Sequence, residues 1–270
     1  MPEPSLITST KNPLVKRIRS LAKREQRDAE DRLVVEGVRM LEEVLDAGVA
    51  VELLVYVPAI GEDPRAAGVL ARAKQGGIRL APASPHVVAA CSHVETPQGM
   101  MAVVAKPRVA LSTVLGEPNT LLVIADRIQD PGNLGTIIRI ADAAGATAVV
   151  VTRGTVDPTN PKTVRATMGS IFHLPVVEVA ADEIIAALEQ REVRVLIADQ
   201  AGAIDYTDAD YRRPVAMVLG NEGQGPDARW REVATATVRI PLYGRAESLN
   251  VAVAAGLLLY EARRQPPSRR

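Results

Sequence analysis

Six apolar runs in the second half of this chain, five of them followed by a helical pattern, narrow its possible folds more than any other feature. They occupy residues 121–125, 148–151, 174–179, 193–198, 215–219 and 237–240. Most are continuous runs of Val, Ile, Leu and Ala rather than alternations, as strands buried on both faces require. Helical segments are expected between them at 134–144, 162–168, 182–190, 227–233 and 249–263. Strand–helix alternation of this kind predicts a doubly wound, mainly parallel sheet.

The first half repeats the alternation on a smaller scale. Residues 11–24 read as one amphipathic helix, with Leu14, Ile18 and Leu21 at helical spacing among basic residues. Strands are expected at 33–35, 51–57, 78–80 and 100–105, and helices at 38–47, 64–74 and 85–91, with Gly48 closing the first. Pro107, Gly116 and Pro118 suggest a linker over 107–119. The expected layout is a small α/β domain over 1–106, the linker, and a larger α/β domain over 120–270.

Composition excludes more than it selects. A single cysteine, Cys91, rules out an internal disulfide and fits a reducing cytoplasm. Three histidines and one cysteine show no ligand spacing, so no metal is expected. The longest apolar stretch, 251–260, is well short of the roughly 20 residues a membrane span needs, and no secretion signal is visible. Net charge is zero, yet Lys11, Lys16, Arg17, Arg19, Lys23 and Arg24 crowd one end against Glu3 alone. Arg263, Arg264, Arg269 and Arg270 face only Glu261 at the other. A neutral protein with basic ends can still bind phosphate; solvated surface explains the same residues.

Three polar segments stand where strands give way to helices. In the first, 126–139, Asn133 is placed to cap a helix, and Arg139 lies among isoleucines. A half-buried Arg there needs a partner such as Asp126 or Asp130. The second is Leu219-Gly220-Asn221-Glu222-Gly223-Gln224-Gly225-Pro226. Its glycines permit close backbone approach, but their spacing is neither the dinucleotide fingerprint nor a P-loop. The third runs from Ile240-Pro241-Leu242-Tyr243 to Glu247-Ser248-Leu249-Asn250, with Ser248 as a candidate cap. The helix after it shows no polar face before Glu261, so burial on all sides is expected.

In order and type the three segments resemble the motifs of the SpoU family, also called the TrmH family, of RNA 2′-O-ribose methyltransferases. Val35-Glu36-Gly37 and Thr96-Pro97-Gln98-Gly99 are similar to parts of that family's L30e-like substrate-binding domain. The resemblance implies an N-terminal L30e-like domain and a C-terminal SPOUT domain with a trefoil knot. It implies a homodimer and methyl transfer from S-adenosylmethionine to a ribose 2′-hydroxyl, with ribosomal RNA ahead of tRNA as substrate. Arg139 would act on the hydroxyl and adjacent phosphate, with Asn133, Glu222, Ser248 and Asn250 around it. Leu219, Gly220, Ile240, Leu242 and Leu249 would hold the cofactor. A non-catalytic RNA-binding protein and a nicotinamide-dependent oxidoreductase remain as other classes; the second lacks the fingerprint glycines.

Overall fold

The structure is a computed structural model describing residues 5–116 and 119–265. Arg269, Arg270, Glu3 and Pro118 lie outside the described residues. In chain order the elements are α1 (Pro13–Ser20), α2 (Arg24–Glu30), β1 (Arg32–Glu36), α3 (Val38–Asp46), β2 (Val51–Tyr56), α4 (Pro64–Gln75), β3 (Arg79–Pro82), α5 (Pro85–Cys91) and β4 (Met100–Ala105). There follow α6 (Leu111–Val114), β5 (Leu121–Ala125), α7 (Pro131–Ala143), β6 (Ala148–Thr152), α8 (Pro161–Ala166), β7 (Val176–Val179), α9 (Ala181–Gln190) and β8 (Arg194–Ala198). The chain ends through β9 (Ile204–Asp205), β10 (Val215–Leu219), α10 (Arg229–Val233), β11 (Ala236–Arg239) and α11 (Val251–Arg264).

Two compact units result. The first comprises the described residues of Met1–Pro107 together with Thr159–Phe172; the second takes the remainder. The first unit has a four-stranded sheet in the order β1-β4-β2-β3. Its strands pair antiparallel except β2 with β3, which are parallel. Val15, Ile18 and Leu21 pack with Leu53, Val55, Met101 and Val103 on one face, while α3 and α4 pack together near the strands. The single helix expected over 11–24 is two helices. Its apolar stripe is exhausted at Leu21, and the chain turns before α2, whose one buried side chain is Arg27. That guanidinium donates to the carbonyls of Leu21 (2.9 Å) and Ala22 (2.6 Å) and to Thr159 Oγ1 (3.2 Å). Such bonds offset the cost of burying a charge. They also tie the start of the 159–172 segment to this unit, where α8 packs on β1. The expected basic cluster is neutralised in part: Arg17 pairs with Glu30 and Glu52, and Arg24 with Asp28.

The second unit has a seven-stranded sheet, β7-β6-β5-β10-β8-β11-β9, with every pair parallel. All residues of β5 and β10 are buried. Their side chains alternate between two cores, as a pleated strand dictates. Leu121, Val123, Ala125, Val215, Met217 and Leu219 join a core shared with α7 and α11. Leu122, Ile124, Ala216 and Val218 join the opposite core, with Ile184, Leu188 and Trp230. Val114 and Leu115, from the interval expected as a linker, belong to that second core. The short β9 had no apolar run to announce it.

Parallel pairing decides the rest. β5 and β10 lie side by side with Ala125 opposite Leu219, although almost a hundred residues separate them. The loops leaving β5, β8, β10 and β11 therefore emerge at one edge, the usual place for a site in an open parallel sheet.

Candidate functional site

The carboxyl edge of the second sheet forms a cleft of about 290 Å³, walled by loops after β8, β10 and β11 and by the start of α11. Of the residues singled out in the sequence, Leu219, Gly220, Glu222, Ile240, Ser248 and Leu249 line it. Leu242 is half-buried and lies outside the lining. Asp199 and Gln200 line the cleft and were missed. They follow directly on β8 as the quoted motifs follow their strands, and that position was the available signal.

The β10 loop is a closed turn built by Asn221. Its Oδ1 accepts from the amides of Gly223 (2.9 Å) and Gln224 (3.0 Å), and its Nδ2 donates to the Arg127 carbonyl (3.0 Å). Gly220 has a reason within the turn itself. A Cβ there would lie 2.0 Å from Pro226 N and 2.3 Å from the Gly225 carbonyl carbon. The loop folds back on its own start, so Gly220 is required by the turn whether or not a ligand approaches.

The β5 loop holds that turn from the other side. Asp126 is buried; it accepts from Thr152 Oγ1 (2.8 Å) and from the Asp227 amide (2.8 Å). Arg127, with φ 58°, donates to the Gly225 carbonyl (3.2 Å) and pairs with Asp126 (3.4 Å). The Arg229 side chain beside Asp227 holds that carboxyl below its ordinary range, with Arg127 adding to the effect. A carboxylate between two cations fixes the far end of the loop in place.

Asn133 links the first segment to the other two. Asn133 does not cap α7: Asp130 does, accepting from the Asn133 amide (2.8 Å), with Pro131 in the first turn. The Asn133 side chain is thereby free to bridge. Its Nδ2 donates to Glu222 Oε1 (2.9 Å), and its Oδ1 accepts from Asn250 Nδ2 (2.9 Å). Glu222 Oε2 also receives the Gln129 amide at 3.4 Å. Ser248 does not cap α11 either. Asn250 does, through Oδ1 to the amides of Ala252 and Val253, and Ser248 stays exposed at the cleft. Asn250 can do both tasks because its amide has an acceptor end and a donor end.

Arg139 does not make the carboxylate pair that its isoleucine neighbours alone suggest. It is exposed on α7 and makes no ion pair with a carboxylate among the described residues. It lies six residues beyond Asn133, about 9 Å along the helix and about 120° round it, so the network does not include it. Nor is α11 buried on all sides. Val253, Leu257 and Tyr260 are 52%, 37% and 58% exposed and form a stripe beside Gly256 and Tyr206. Among the described residues, no group of acidic, His or Cys side chains is arranged to hold a metal, and no helix is long and apolar enough to cross a membrane.

Known proteins resemble this chain over nearly its whole length. Residues 120–260 match the model of the SpoU rRNA methylase family, and residues 12–102 match an MRM3-like substrate binding domain. A 23S rRNA (guanosine(2553)-2′-O)-methyltransferase of Bacillus subtilis is 37% identical, over 95% of this chain and 98% of its own. A 23S rRNA (uridine(2479)-2′-O)-methyltransferase of Streptomyces viridochromogenes is 35% identical, over 91% of this chain and 87% of its own. A crystal structure of an AdoMet-bound rRNA methyltransferase from Sinorhizobium meliloti superposes with a TM-score of 0.87 at 36% identity, covering 96% of this chain and 97% of that one.

Proposed function

Because the chain belongs to the SpoU rRNA methylase family, we propose that it methylates a ribose 2′-hydroxyl of ribosomal RNA, using S-adenosylmethionine. The observation that carries this reading is the Asn133–Glu222–Asn250 network at the edge of the β10–β11 cleft. The cleft suits the cofactor. Its walls combine the apolar side chains of Leu219, Ile240 and Leu249 with the turn backbone after Gly220, suiting a ligand with an apolar ring and polar edges. S-adenosylmethionine bound there supplies an electrophilic methyl group.

The protein's share is positioning and charge. A ribose hydroxyl is a weak nucleophile, so holding it in line contributes much of the rate. Glu222, fixed between the Asn133 amide and the Gln129 N–H, presents a located acceptor beside the cleft. Ser248 offers a hydroxyl from the opposite loop. Arg139 has donors and no acceptor, so its part is to hold the phosphate next to the target ribose rather than to take the proton.

The reading includes a homodimer, a trefoil knot at the cleft loops and a cytoplasmic site of action. The Val253–Leu257–Tyr260 stripe supports the dimer, because an exposed apolar helix face marks a contact surface. Three measurements test the whole: calorimetric titration with S-adenosylmethionine, methyl transfer into ribosomal RNA from cells lacking the gene, and mapping of the modified ribose. A purified protein that binds no cofactor, or that labels tRNA and leaves ribosomal RNA unlabelled, removes the reading.

A further inference from the structure

The first unit has a cavity of its own, about 110 Å³, that plays no part in the site above. Two sequence segments sixty residues apart meet there, Val35-Glu36-Gly37 and the stretch around Gln98. Gly37 has φ +101°, and a Cβ on it would lie 2.2 Å from Gln98 Oε1. The absence of a side chain at 37 is what lets the Gln98 amide lie over the β1 end. The 159–172 segment supplies another wall through Val164, Arg165 and Met168. Met168 has φ 53°, a conformation that bulky residues avoid, and it holds an apolar side chain 39% exposed at this wall.

The chemistry of the walls is mixed in a particular way. Met40, Cys91 and Val164 are apolar and buried. Glu36 accepts from Ser92 Oγ on both oxygens (2.7 and 2.9 Å), which uses one donor and leaves carboxylate lone pairs over. Gln98 brings an amide with donor and acceptor ends. Arg39 and Arg165 are exposed beside the cavity. Neither has a carboxylate partner among the described residues, and Arg165 makes a long bond to the His93 carbonyl (3.4 Å). Elsewhere in the unit Arg17, Arg24, Arg32, Arg65 and Arg72 pair with acids, while Arg19 and Arg79, which do not line the cavity, have no carboxylate partner among the described residues.

We infer that this cavity takes one unpaired nucleobase of the RNA, with its flanking phosphate held by Arg39 and Arg165. The inference rests on the methyltransferase reading for its RNA, and on the cavity's geometry for its place. The volume is far below the roughly 300–1,000 Å³ of sites for larger ligands, which suits a single planar ring system. Methionine sulfur packs well against ring edges. A base edge needs nearby donors and acceptors, which Glu36 and Gln98 present, and single-stranded RNA is read by splaying bases into such pockets. Two unpaired guanidiniums beside the opening complement a phosphate.

The test uses the full chain and a fluorescein-labelled single-stranded oligoribonucleotide containing 4-thiouridine. Ultraviolet cross-linking followed by mass spectrometry should place adducts within 36–40, 91–98 or 164–168. The double variant Arg39→Ala, Arg165→Ala should raise Kd about tenfold and flatten the salt slope by roughly 0.7 per lost contact. Its affinity for S-adenosylmethionine should be unchanged. Adducts only outside those residues, or an unaltered Kd and salt slope in the double variant, overturn the inference. A wild-type chain that binds no S-adenosylmethionine overturns the methyltransferase reading instead, and the cross-link map still decides the pocket.

Discussion

Asn133 Nδ2 donates to Glu222 Oε1 at 2.9 Å across 89 residues of chain, and the same Asn133 accepts from Asn250 at 2.9 Å. One amide thus joins three loops. Asn133→Ala leaves Asp130 as the α7 cap, so the fold should persist. Methyl transfer should fall by about 10- to 100-fold, or about 1.4–2.8 kcal/mol of transition-state stabilisation. Cofactor affinity should change less than about twofold, since Asn133 lies outside the cleft lining. Steady-state kinetics and calorimetry on the same preparation check both.

Arg139→Ala separates catalysis from stability. The residue is exposed and has no carboxylate partner among the described residues, so thermal stability should stay within about 0.5 kcal/mol. Methyl transfer should drop about 10²-fold, because the phosphate that positions the target ribose loses its guanidinium. Turnover near wild type in a purified assay would remove Arg139 from the mechanism.

Gly220 and Gly223 should behave oppositely although they share a turn. A Cβ at 220 meets the backbone of Gly225 and Pro226, whereas at 223 the nearest atom is Asn221 Oδ1 at 3.6 Å. Gly220→Ala should destabilise by about 2–3 kcal/mol or more, because backbone must move to admit it. Gly223→Ala should fold normally. Chemical denaturation of the two variants decides; equal stabilities would contradict the described turn.

Acid should weaken the first unit through Glu52. The Arg17 side chain, helped by Arg32, pulls the Glu52 carboxyl down to about 2 from its ordinary 4.5. A depressed carboxylate contributes stability that is complete above the unfolded value and lost as pH falls through the folded one. The window is therefore about pH 4.5 to 2. Glu52→Gln should lie below wild type in thermal midpoint above that window and converge with it on acidification. Because the pair is solvent-accessible, salt should shrink the difference. A gap that ignores both pH and salt would assign the effect to packing.

Removing the first unit should not leave a clean second one. Thr159–Phe172 belongs to the first unit, and Val164 and Ile171 are buried. A 108–270 fragment would carry those apolar residues without the surface they pack on. It should aggregate or show a lowered unfolding midpoint in light scattering and thermal melts, while the full chain does not.

Continuous apolar runs were enough to find β5 and β10 at their exact limits, because a strand buried on both faces admits almost no polar residue. The same logic located the three polar segments, since residues such as Asn133, Glu222 and Asn250 have no packing role at a strand end. Local pattern failed where the deciding contact was distant. Capping by Asp130 and Asn250 rather than Asn133 and Ser248 depends on which side chain is recruited by another loop. The exposure of Val253, Leu257 and Tyr260 depends on which face α7 covers, and Gly220 on a fold-back six residues later. The placement of 159–172 in the first unit comes with a buried Arg27 and its bond to Thr159. Sequence by itself determined most of the elements and the chemistry of the loops between them, because burial and propensity act over a few residues. Strand order alone set β5 against β10 and so assembled the site, because parallel pairing is a long-range hydrogen-bonding choice that no local window contains.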